Sequence, residues 1–522
     1  MKDSLQRLWR ACLDRLPGGR ARSTSADPVT AGRLGLAMAE IDRRNFAAAL
    51  RLLDTAADAR LTRRIMSARF RCLVALRMHD DIVGAFAKAD ARLQSEPSLR
   101  IAYIDALANL QRFEEGRAEI AKALLAPSDR DIRFLTQSIR YPSIVDERLK
   151  RMIVARVLSH SAHPRRAHAQ LVRCCHELLA LGQFSECDSL IGAIAIPEPD
   201  AVERQRLLLL NAQAAWTLGD VRGHIDAFNA AIAIDGVTPV QLINPQSGVS
   251  PHNVRAAGAF AEGPLVSVLM TTFNSETTVG YAVESILGQC YRNIELIVVD
   301  DMSADRTVPI LKQLGARDAR LKIMIQTCNM GTYVAKNRGL QIAAGELVTC
   351  QDSDDWAHCD KIGTSVSRLM ADASAISTTV RHIRCSADKG LQCRRDYAGA
   401  DYSSLMYRRE LVLVRLGFYD NVRGGADSEF QWRLERVFGR AAHKPGPEIL
   451  SLVRASDDSL SRTGVFEVRD DPSVMSPLRN RYRAAFLRWH ESAADLRIDF
   501  RDFVRADEDI GCIQSGGTTA RV

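Results

Sequence analysis

Two long apolar runs rich in β-branched residues constrain the fold of this chain most strongly. They are LVSVLMTT at 265–272 and IELIVVDD at 294–301. Strands that are buried on both faces of a parallel sheet have continuous apolar sequences of this kind, whereas half-exposed strands alternate. The segments LKIMIQ at 321–326 and ELVTCQD at 346–352 follow with the same character. The sequence therefore predicts four strands of a mostly parallel sheet.

Helical patterns separate these four strands. They cover residues 277–288, 305–315 and 332–344. Alternation of strands and helices predicts βαβ units and a doubly wound α/β sheet. Ligands of such sheets bind beyond the carboxyl ends of the strands. Asp300 and Asp301 end the second strand and QDSDD at 351–355 ends the fourth, so we expect both acidic groups at one edge.

Three carboxylates, those of Asp352, Asp354 and Asp355, crowd into four positions at this strand end. Like charges repel unless a cation or hydrogen-bond donors lie between them. Carboxylate oxygens suit Mg²⁺ or Mn²⁺, and Mg²⁺ completes its coordination with water and substrate phosphates. The cluster thus predicts a divalent cation and a phosphorylated ligand. The alternative is a helix start that acidic residues stabilise.

The loop CNMGTYVAKNRG at 328–339 supports a phosphorylated ligand. Gly331 would allow a tight turn into the N-terminus of a helix, which is a natural anion site. Lys336 and Arg338 add positive charge nearby.

The N-terminal part of the chain has a different pattern, because residues 28–235 are almost wholly helical in character. Short turns recur with a period near 34 and align five positions in one column. These positions are Phe46, His79, Phe113, Phe184 and Val221. Helical hairpins with this period resemble tetratricopeptide repeats, in which each hairpin buries its apolar face on the next. An irregular helical bundle is the alternative.

These patterns divide the chain into five expected segments. They are a basic amphipathic segment at 1–27, the helical repeats at 28–235, a Pro- and Gly-containing linker at 236–263, the α/β domain at 264–470 and a helical extension at 471–522. A basic amphipathic helix with a Trp can lie on anionic lipid. The first segment therefore predicts peripheral membrane contact, with capping of the repeat stack as the alternative.

Composition excludes several classes of protein. The chain has 522 residues and a net charge of +7, which is too small an excess to predict nucleic-acid binding. No apolar run approaches the ~20 residues of a membrane-spanning helix, and the N-terminus is too polar for a signal peptide. We expect a cytoplasmic protein, or one peripheral at the inner face of the membrane. The twelve cysteines show no zinc-type spacing, which predicts scattered buried thiols.

Five segments in order resemble the family-2 glycosyltransferases, which have the GT-A fold. They are VSVLMTTFN at 266–274, ELIVVDDMSADRT at 295–307, NMGTYVAKNRGLQIAAGE at 329–346, QDSDDW at 351–356 and GGADSEFQWRLERVFG at 424–439. The resemblance covers about two-fifths of the chain, at 264–465. It implies a GT-A catalytic domain that follows an all-helical repeat domain in the sequence.

The resemblance also implies roles for individual residues. Residues expected to bind the nucleotide sugar are Thr272, Phe273, Asn274, Glu276, Asp300, Asp301, Asn329, Gly331, Lys336, Asn337 and Asp352. Metal ligands are expected to be Asp354 first, with Asp352 and Asp355, for Mn²⁺ or Mg²⁺. Asp427 is the expected catalytic base, against the alternative that Asp427 and Glu429 only stabilise the start of a helix.

The implied activity is metal-dependent, inverting transfer of one sugar from a nucleotide-diphosphate sugar. A UDP-sugar is the first choice of donor, and a carbohydrate, lipid-linked or protein molecule is the acceptor. Surface polysaccharide or glycoconjugate synthesis is the expected setting, and the helical repeats are expected to bind a protein partner.

Two features depart from the family pattern. Ser456 stands where many relatives have a metal-binding His, and Lys336 stands where Arg is commoner. The QxxRW pattern of processive synthases is absent, which favours single addition. Two alternatives therefore stay open: a nucleotidyltransferase, and a non-catalytic scaffold with a degenerate GT-A domain.

Overall fold

A computed structural model describes the chain in several stretches. They are residues 28–42, 45–55, 62–125, 128–139, 141, 143–158, 175–176, 178–179, 200–259, 261–392, 397–455, 476–501 and 503. The chain divides into two compact units. The helical unit comprises Met1–Pro197 with Ser461–Glu491, and the α/β unit comprises Glu198–Leu460 with Ser492–Val522.

The helical unit consists of antiparallel hairpins in its described part. Its helices are α1 (Pro28–Asp42), α2 (Phe46–Asp54), α3 (Thr62–Leu76), α4 (His79–Ala87), α5 (Ala91–Gln94), α6 (Pro97–Asn109), α7 (Phe113–Leu125), α8 (Asp129–Ser138) and α9 (Glu147–Leu158), followed by a C-terminal helix (Pro477–Ser492). Leucine, isoleucine and phenylalanine side chains of α3, α4 and α6 pack together in a buried core. The prediction of an all-helical N-terminal region is confirmed.

The predicted hairpin turns are at the expected places. Phe46, His79 and Phe113 are each the first residue of the second helix of a hairpin. Two of the turns contain a residue with a left-handed backbone, Arg77 with φ 58° and Gln111 with φ 60°, which reverses the chain within a few residues. Phe184 lies outside the described residues. The assignment of these hairpins to tetratricopeptide repeats stays a prediction.

The α/β unit begins with a helical hairpin and continues as an α/β domain. Its helices are α10 (Ala201–Thr217), α11 (Val221–Ala233), α12 (Val279–Leu287), α13 (Thr307–Gly315), α14 (Thr332–Ile342), α15 (Lys361–Ala371), α16 (Arg409–Arg415) and α17 (Ala426–Phe438). Its strands are β1 (Gln241–Leu242), β2 (Val254–Arg255), β3 (Val266–Thr272), β4 (Ile294–Asp300), β5 (Leu321–Ile325), β6 (Leu347–Asp352), β7 (Trp356–Ala357), β8 (Ser377–Thr378), β9 (Arg381–Ser386), β10 (Gly390–Gln392), β11 (Ala398–Ala400), β12 (Met406–Arg408) and β13 (Ile449–Arg454).

Six strands form the main sheet in the order β5-β4-β3-β6-β12-β8. The first four are parallel, and β12 is antiparallel to both of its neighbours. A second sheet has the order β10-β9-β13-β7, with β11 also paired to β9. The prediction of a mostly parallel α/β sheet is therefore confirmed, and the four predicted strands and three predicted helices agree with the observed ones within a few residues.

The core of this unit explains why these strands are apolar throughout. All seven residues of β4 are buried, and Val268, Met270, Leu296 and Val298 pack against apolar side chains of α12. A strand that is covered on both faces cannot alternate apolar and polar residues without burying unpaired polar groups.

The units do not divide at residue 235, where the sequence patterns place the end of the repeats. Helices α10 and α11 belong to the α/β unit, and Gln213 on α10 accepts a hydrogen bond from the Leu391 backbone N–H at 2.7 Å. The 236–263 segment contains the antiparallel pair of β1 and β2. The expected extension at 471–522 is also shared between the units. Periodicity identifies these helices but does not reveal the surface on which they pack.

None of the helices in the described part of the chain combines the length and the apolar character that crossing a bilayer demands. The basic amphipathic segment at 1–27, with its expected membrane contact, lies outside the described residues.

Candidate active site

The carboxyl ends of three adjacent strands carry a row of buried polar side chains. Thr272 on β3 is in register with Asp300 on β4, and Gln326 directly follows β5. Thr272 Oγ1, Asp300 Oδ1 and Gln326 Oε1 have no hydrogen-bond partner among the described residues. A buried polar atom without a partner costs about 1–3 kcal/mol. The side-chain oxygens of this strand-end row can therefore form hydrogen bonds with a ligand.

Asp301 has a different role from its neighbour. Its Oδ1 accepts hydrogen bonds from the Met330 N–H at 2.7 Å and from Gln326 Nε2 at 2.6 Å, and its Oδ2 accepts one from the Gly331 N–H at 2.7 Å. Burial raises the pKa of Asp301, although these hydrogen bonds counteract the rise. Both oxygens hold the loop before α14, so Asp301 supports this loop, and its contact with a nucleotide sugar stays a prediction.

The segment after β3 is also built largely to support a loop. Asn274 Oδ1 accepts a hydrogen bond from the Ala304 N–H at 2.9 Å, and Glu276 Oε2 accepts one from the Arg306 N–H at 3.0 Å. Both side chains thus fix the loop that follows β4. Phe273 differs from them, because it is 48% exposed and offers a free aromatic surface at the sheet edge.

Asp352, Asp354 and Asp355 form the acidic strand end, at the carboxyl end of β6. Asp352 is paired with a buried lysine. Asp352 Oδ1 lies 3.7 Å from Lys336 Nζ, and the lysine side chain is only 6% exposed. Burial alone would lower the pKa of Lys336, but the Asp352 carboxylate and weaker neighbours raise it above its ordinary value. Lys336 is therefore a fixed positive charge beside the acidic strand end.

Asp354 and Asp355 lie in a strongly acidic setting. Burial, followed by the charge of Asp352, raises the pKa of Asp354 to about 6, and Arg454 counteracts this rise. Burial and both neighbouring aspartates raise the pKa of Asp355 well above its ordinary value. Asp355 Oδ1 accepts a hydrogen bond from the Arg454 N–H at 2.9 Å. Asp355 is thus pinned to β13, while Asp354 is half-buried and has no such bond to β13.

The carboxylates of Asp352, Asp354 and Asp355 fit a divalent cation. Carboxylates with raised pKa values gain most from a nearby positive charge, and oxygen ligands suit Mg²⁺ or Mn²⁺. The three carboxylates do not form a group whose oxygens all lie within 4.8 Å of one another. The set is therefore no closed protein cage, and it matches a cation that takes one or two carboxylates and completes its shell with substrate phosphates.

The start of α17 positions Asp427. Gly425 is the N-cap, and its φ of 89° is a left-handed conformation that side chains disfavour. Asp427 Oδ1 accepts hydrogen bonds from the Ser428 N–H at 2.8 Å and from the Tyr333 hydroxyl at 3.1 Å. Asp427 is therefore not a capping residue. Its second oxygen has no hydrogen-bond partner among the residues that the structure describes.

Glu429, the other acid of this turn, is fully buried. Its Oε1 lies 2.9 Å from Nε of Arg433, which is also fully buried. Because it forms a buried ion pair with Arg433, Glu429 has a structural role in the packing of α17. Asp427 is therefore the acid of this turn that is suited to a catalytic role.

Tyr333 connects the candidate base to the acidic strand end. The tyrosine lies one turn before Lys336 on α14, and Lys336 Nζ is 5.6 Å from the centre of its ring. The series Asp427, Tyr333, Lys336 and Asp352 is therefore continuous in contact. Our sequence reasoning missed Tyr333, although its spacing of three from Lys336 on a helix places both on one face.

Two further expected residues have structural contacts. Asn337 is buried; its Nδ2 donates to the Tyr419 carbonyl and to Asn421 Oδ1, and its Oδ1 accepts from the Tyr419 N–H. Its side-chain oxygen and amide nitrogen are thus occupied by protein partners. Asn329 is fixed by Arg423, whose Nη1 lies 2.9 Å from Asn329 Oδ1, and no sequence pattern pointed to this arginine. Ser456, where a metal-binding His was expected, lies outside the described residues.

Part of the α/β unit is similar to known proteins. Residues 267–418 match the family Glycosyl transferase family 2. The α/β unit contains a family-2 glycosyltransferase domain. The matched range includes the strand-end row and the acidic strand end of this domain, and it stops before Asp427.

Similar proteins carry related names. An "Uncharacterized glycosyltransferase" of Haemophilus influenzae is 38% identical over 107 residues, which is 20% of this chain and 43% of that protein. The "UDP-Glc:alpha-D-GlcNAc-diphosphoundecaprenol beta-1,3-glucosyltransferase WfgD" of Escherichia coli is 35% identical over 106 residues, 20% of this chain and 41% of that protein. The chain thus spans less than half the length of these relatives.

Among solved structures, residues 1–349 of TarS of S. aureus in complex with UDP-GlcNAc align with 44% of this chain and 67% of that one. The TM-score of this alignment is 0.35 and the sequence identity is 16%.

Proposed function

We propose that the α/β unit transfers one sugar from a nucleotide-diphosphate sugar to an acceptor hydroxyl, with inversion at the anomeric carbon and with the help of Mn²⁺ or Mg²⁺. The observation that supports this most is the continuous contact from Asp427 through Tyr333 and Lys336 to Asp352. It joins a carboxylate suited to take a proton with a carboxylate suited to hold a diphosphate through a cation.

The strand-end row is the proposed nucleoside site. Asp300 Oδ1 and Gln326 Oε1 accept hydrogen bonds, and Thr272 Oγ1 can accept or donate. These atoms suit a base and ribose that present N–H and O–H groups. The exposed ring of Phe273 adds a surface on which a base can stack.

A UDP-sugar is the first choice of donor, and synthesis of a surface polysaccharide or glycoconjugate is the proposed setting. The name of the E. coli relative specifies UDP-Glc and an acceptor linked to undecaprenyl diphosphate. We extend to this chain only the classes these names represent: a nucleotide donor and a carbohydrate or lipid-linked acceptor. Such an acceptor would place the reaction in the cytoplasm or at the inner face of the membrane.

Asp427 performs the proton transfer in this proposal. Tyr333 and the Ser428 N–H hold Oδ1, which leaves Oδ2 to take the proton of the acceptor hydroxyl. The acceptor oxygen forms a bond to the anomeric carbon as the bond from that carbon to the diphosphate breaks. Attack from the side opposite the diphosphate inverts the anomer.

The acidic strand end would hold the cation through Asp354 and Asp352. When bound, a divalent cation supplies a Lewis acid that stabilises negative charge on the leaving diphosphate. Asp355 supports this segment through its hydrogen bond to β13, and Lys336 keeps Asp352 in place from the buried side.

Calorimetric titration of nucleotide sugars tests the donor and metal assignments together. We expect a UDP-sugar to bind in Mn²⁺ and to bind at least tenfold more weakly in EDTA. Asp354→Ala should abolish the difference between the two conditions. Asp226→Ala is the matched control, because Asp226 is an exposed residue on α11 in a surface ion pair with Arg222. Equal affinity in Mn²⁺ and EDTA for the wild-type chain would refute the metal assignment.

A further inference from the structure

Two cysteines that are far apart in sequence meet an aspartate in the α/β unit. Among the described residues, Cys290, Cys359 and Asp360 form the one group of three potential ligands whose ligand atoms all lie within 4.8 Å of one another. Both cysteines are free thiols and buried, and Asp360 is half-buried. Sixty-nine positions separate the two cysteines, so the absence of zinc-type spacing in the sequence could not reveal this cluster.

The Asp360 carboxylate is oriented toward the sulfur atoms. Its Oδ2 accepts a hydrogen bond from the Thr238 N–H at 3.1 Å, and its Oδ1 lies 3.5 Å from Cys359 Sγ. One oxygen is thus fixed by the backbone while the other belongs to the cluster. Orientation of a carboxylate ligand by a second hydrogen bond is a common feature of metal sites.

His358 supports this arrangement from the side. Its Nε2 lies 2.8 Å from the Thr238 carbonyl, and its Nδ1 lies 3.2 Å from the Asp360 backbone nitrogen. The first contact requires a proton on Nε2, and the second requires a lone pair on Nδ1. The neutral ring with hydrogen on Nε2 meets both requirements, so His358 holds the Asp360 backbone.

Gly258 closes over the cluster. Its backbone N–H donates to Cys290 Sγ at 3.2 Å. A Cβ atom at this position would lie 2.7 Å from Asp360 Oδ1 and 3.1 Å from Cys290 Sγ. A side chain here would intrude on two of the three ligand atoms, whereas glycine lets a backbone donor approach a sulfur atom directly.

We propose that Cys290, Cys359 and Asp360 bind one zinc ion, with water as the fourth ligand. Two thiolates and a carboxylate form a donor set that Zn²⁺ accepts in tetrahedral geometry. Sulfur ligands disfavour Mg²⁺ and Mn²⁺, so this site differs in chemistry from the acidic strand end. Binding releases the two thiol protons to solvent, and no electron is transferred.

The site would fasten the segment that leaves the acidic strand end. Cys359 and Asp360 follow Asp355 by four and five residues and directly precede α15, while Cys290 follows α12. A zinc ion would therefore link the segment that follows α12 to the segment that precedes α15, a few residues after QDSDD. Its proposed role is structural, because no cluster ligand touches the atoms of the proposed reaction.

Metal analysis of the untagged full chain tests this site. We expect one zinc per chain after purification from zinc-supplemented medium, and reloading after chelation. Replacement by Co²⁺ should give the near-ultraviolet charge-transfer absorption of two thiolate ligands. Loss of an outer-sphere partner typically weakens metal affinity about 10–100-fold, so Cys290→Ser and Cys359→Ser should each lower zinc affinity by at least that factor. Cys328→Ser removes an exposed cysteine and should leave the zinc content unchanged.

Three results would overturn the site. One is a wild-type chain that remains free of zinc, and another is a zinc content that both serine variants retain. The third is a Cys290–Cys359 disulfide found by peptide mass spectrometry in a chain that binds no zinc after reduction. If the serine variants fail to fold, the zinc affinity of Asp360→Asn and the cobalt spectrum of the wild-type chain test the site instead. Unchanged zinc affinity in Asp360→Asn, or a cobalt spectrum without thiolate absorption, contradicts the proposal.

Discussion

Substitution of Asp427 by Asn separates proton transfer from packing. Asn keeps an oxygen that can accept from the Ser428 N–H and from the Tyr333 hydroxyl, the two bonds that Asp427 Oδ1 accepts at 2.8 and 3.1 Å. The side chain should therefore stay in place, but it can no longer accept a proton. Removal of a general base typically costs about 10²–10⁴-fold in rate, and we expect kcat to fall by that factor.

The stability of the same variant should hardly change. Asp427 is not the N-cap of α17, so the loss is limited to its charge near the helix N-terminus, about 0.3–1 kcal/mol. For a domain of this size that corresponds to a fall in Tm of roughly 1–4 °C. Donor affinity in Mn²⁺ should remain within about threefold, because no donor contact is assigned to Asp427.

The assay compares nucleoside diphosphate release, donor binding and melting temperature for the wild-type chain, Asp427→Asn and Tyr333→Phe. Tyr333→Phe removes only one of the two bonds to Oδ1 and should reduce kcat less than Asp427→Asn does. Turnover of Asp427→Asn within threefold of the wild-type rate would refute the assignment of the base. A large loss of stability with normal turnover would show that Asp427 serves packing instead.

Three further predictions concern pH and backbone geometry. Burial and Asp352 raise the pKa of Asp354 to about 6, so Mn²⁺ affinity measured by titration should fall about tenfold per pH unit below 6, and Asp354→Asn should remove this dependence. Burial lowers the pKa of His79 from 6.5 to about 4. Protonation below pH 6.5 therefore favours the unfolded chain, and the helical unit should lose about 2 kcal/mol between pH 7 and pH 5; urea unfolding followed by circular dichroism checks this, with His79→Gln flattening the profile. Gly425→Ala forces a side chain into a left-handed backbone, which should cost about 1–2 kcal/mol of stability in thermal melting and should reduce turnover by displacing Asp427.

The sheet could be predicted from sequence because its strands are buried on both faces. A continuous apolar run as short as 294–301 is typical of a strand buried on both faces, and the alternation with helices fixes the parallel arrangement. The carboxyl ends of parallel strands share an edge, so the position of Asp300 and Asp352 at the same edge of the sheet, on either side of β3, followed from topology alone.

Side-chain partners could not be predicted in this way. Asp301 and Asn337 have the residue types of ligand-binding positions, and in the structure Asp301 accepts hydrogen bonds from backbone N–H groups while Asn337 bonds to the Tyr419–Asn421 segment. The contacts of Asp301 join residues about 30 positions apart, and those of Asn337 join residues about 80 positions apart. No local sequence pattern encodes such contacts. The cluster of Cys290 with Cys359 was missed for the same reason.

The division between the units also escaped prediction. Helices α10 and α11 have the same local pattern as the repeats before them, and only their contacts, such as that of Gln213 with Leu391, assign them to the α/β unit. Helical periodicity reports which face is buried but not which partner buries it.

The phosphorus-containing product of turnover tests the proposed function most directly. The chain would be incubated with a panel of nucleotide sugars, Mn²⁺ and a cell-envelope extract as the source of acceptor, and the products followed by ³¹P NMR. Our account predicts release of a nucleoside diphosphate from one donor, dependent on Mn²⁺ and lost in Asp427→Asn. Release of pyrophosphate would identify a nucleotidyltransferase, and donor binding without any released diphosphate would identify a non-catalytic domain; either result would contradict the account.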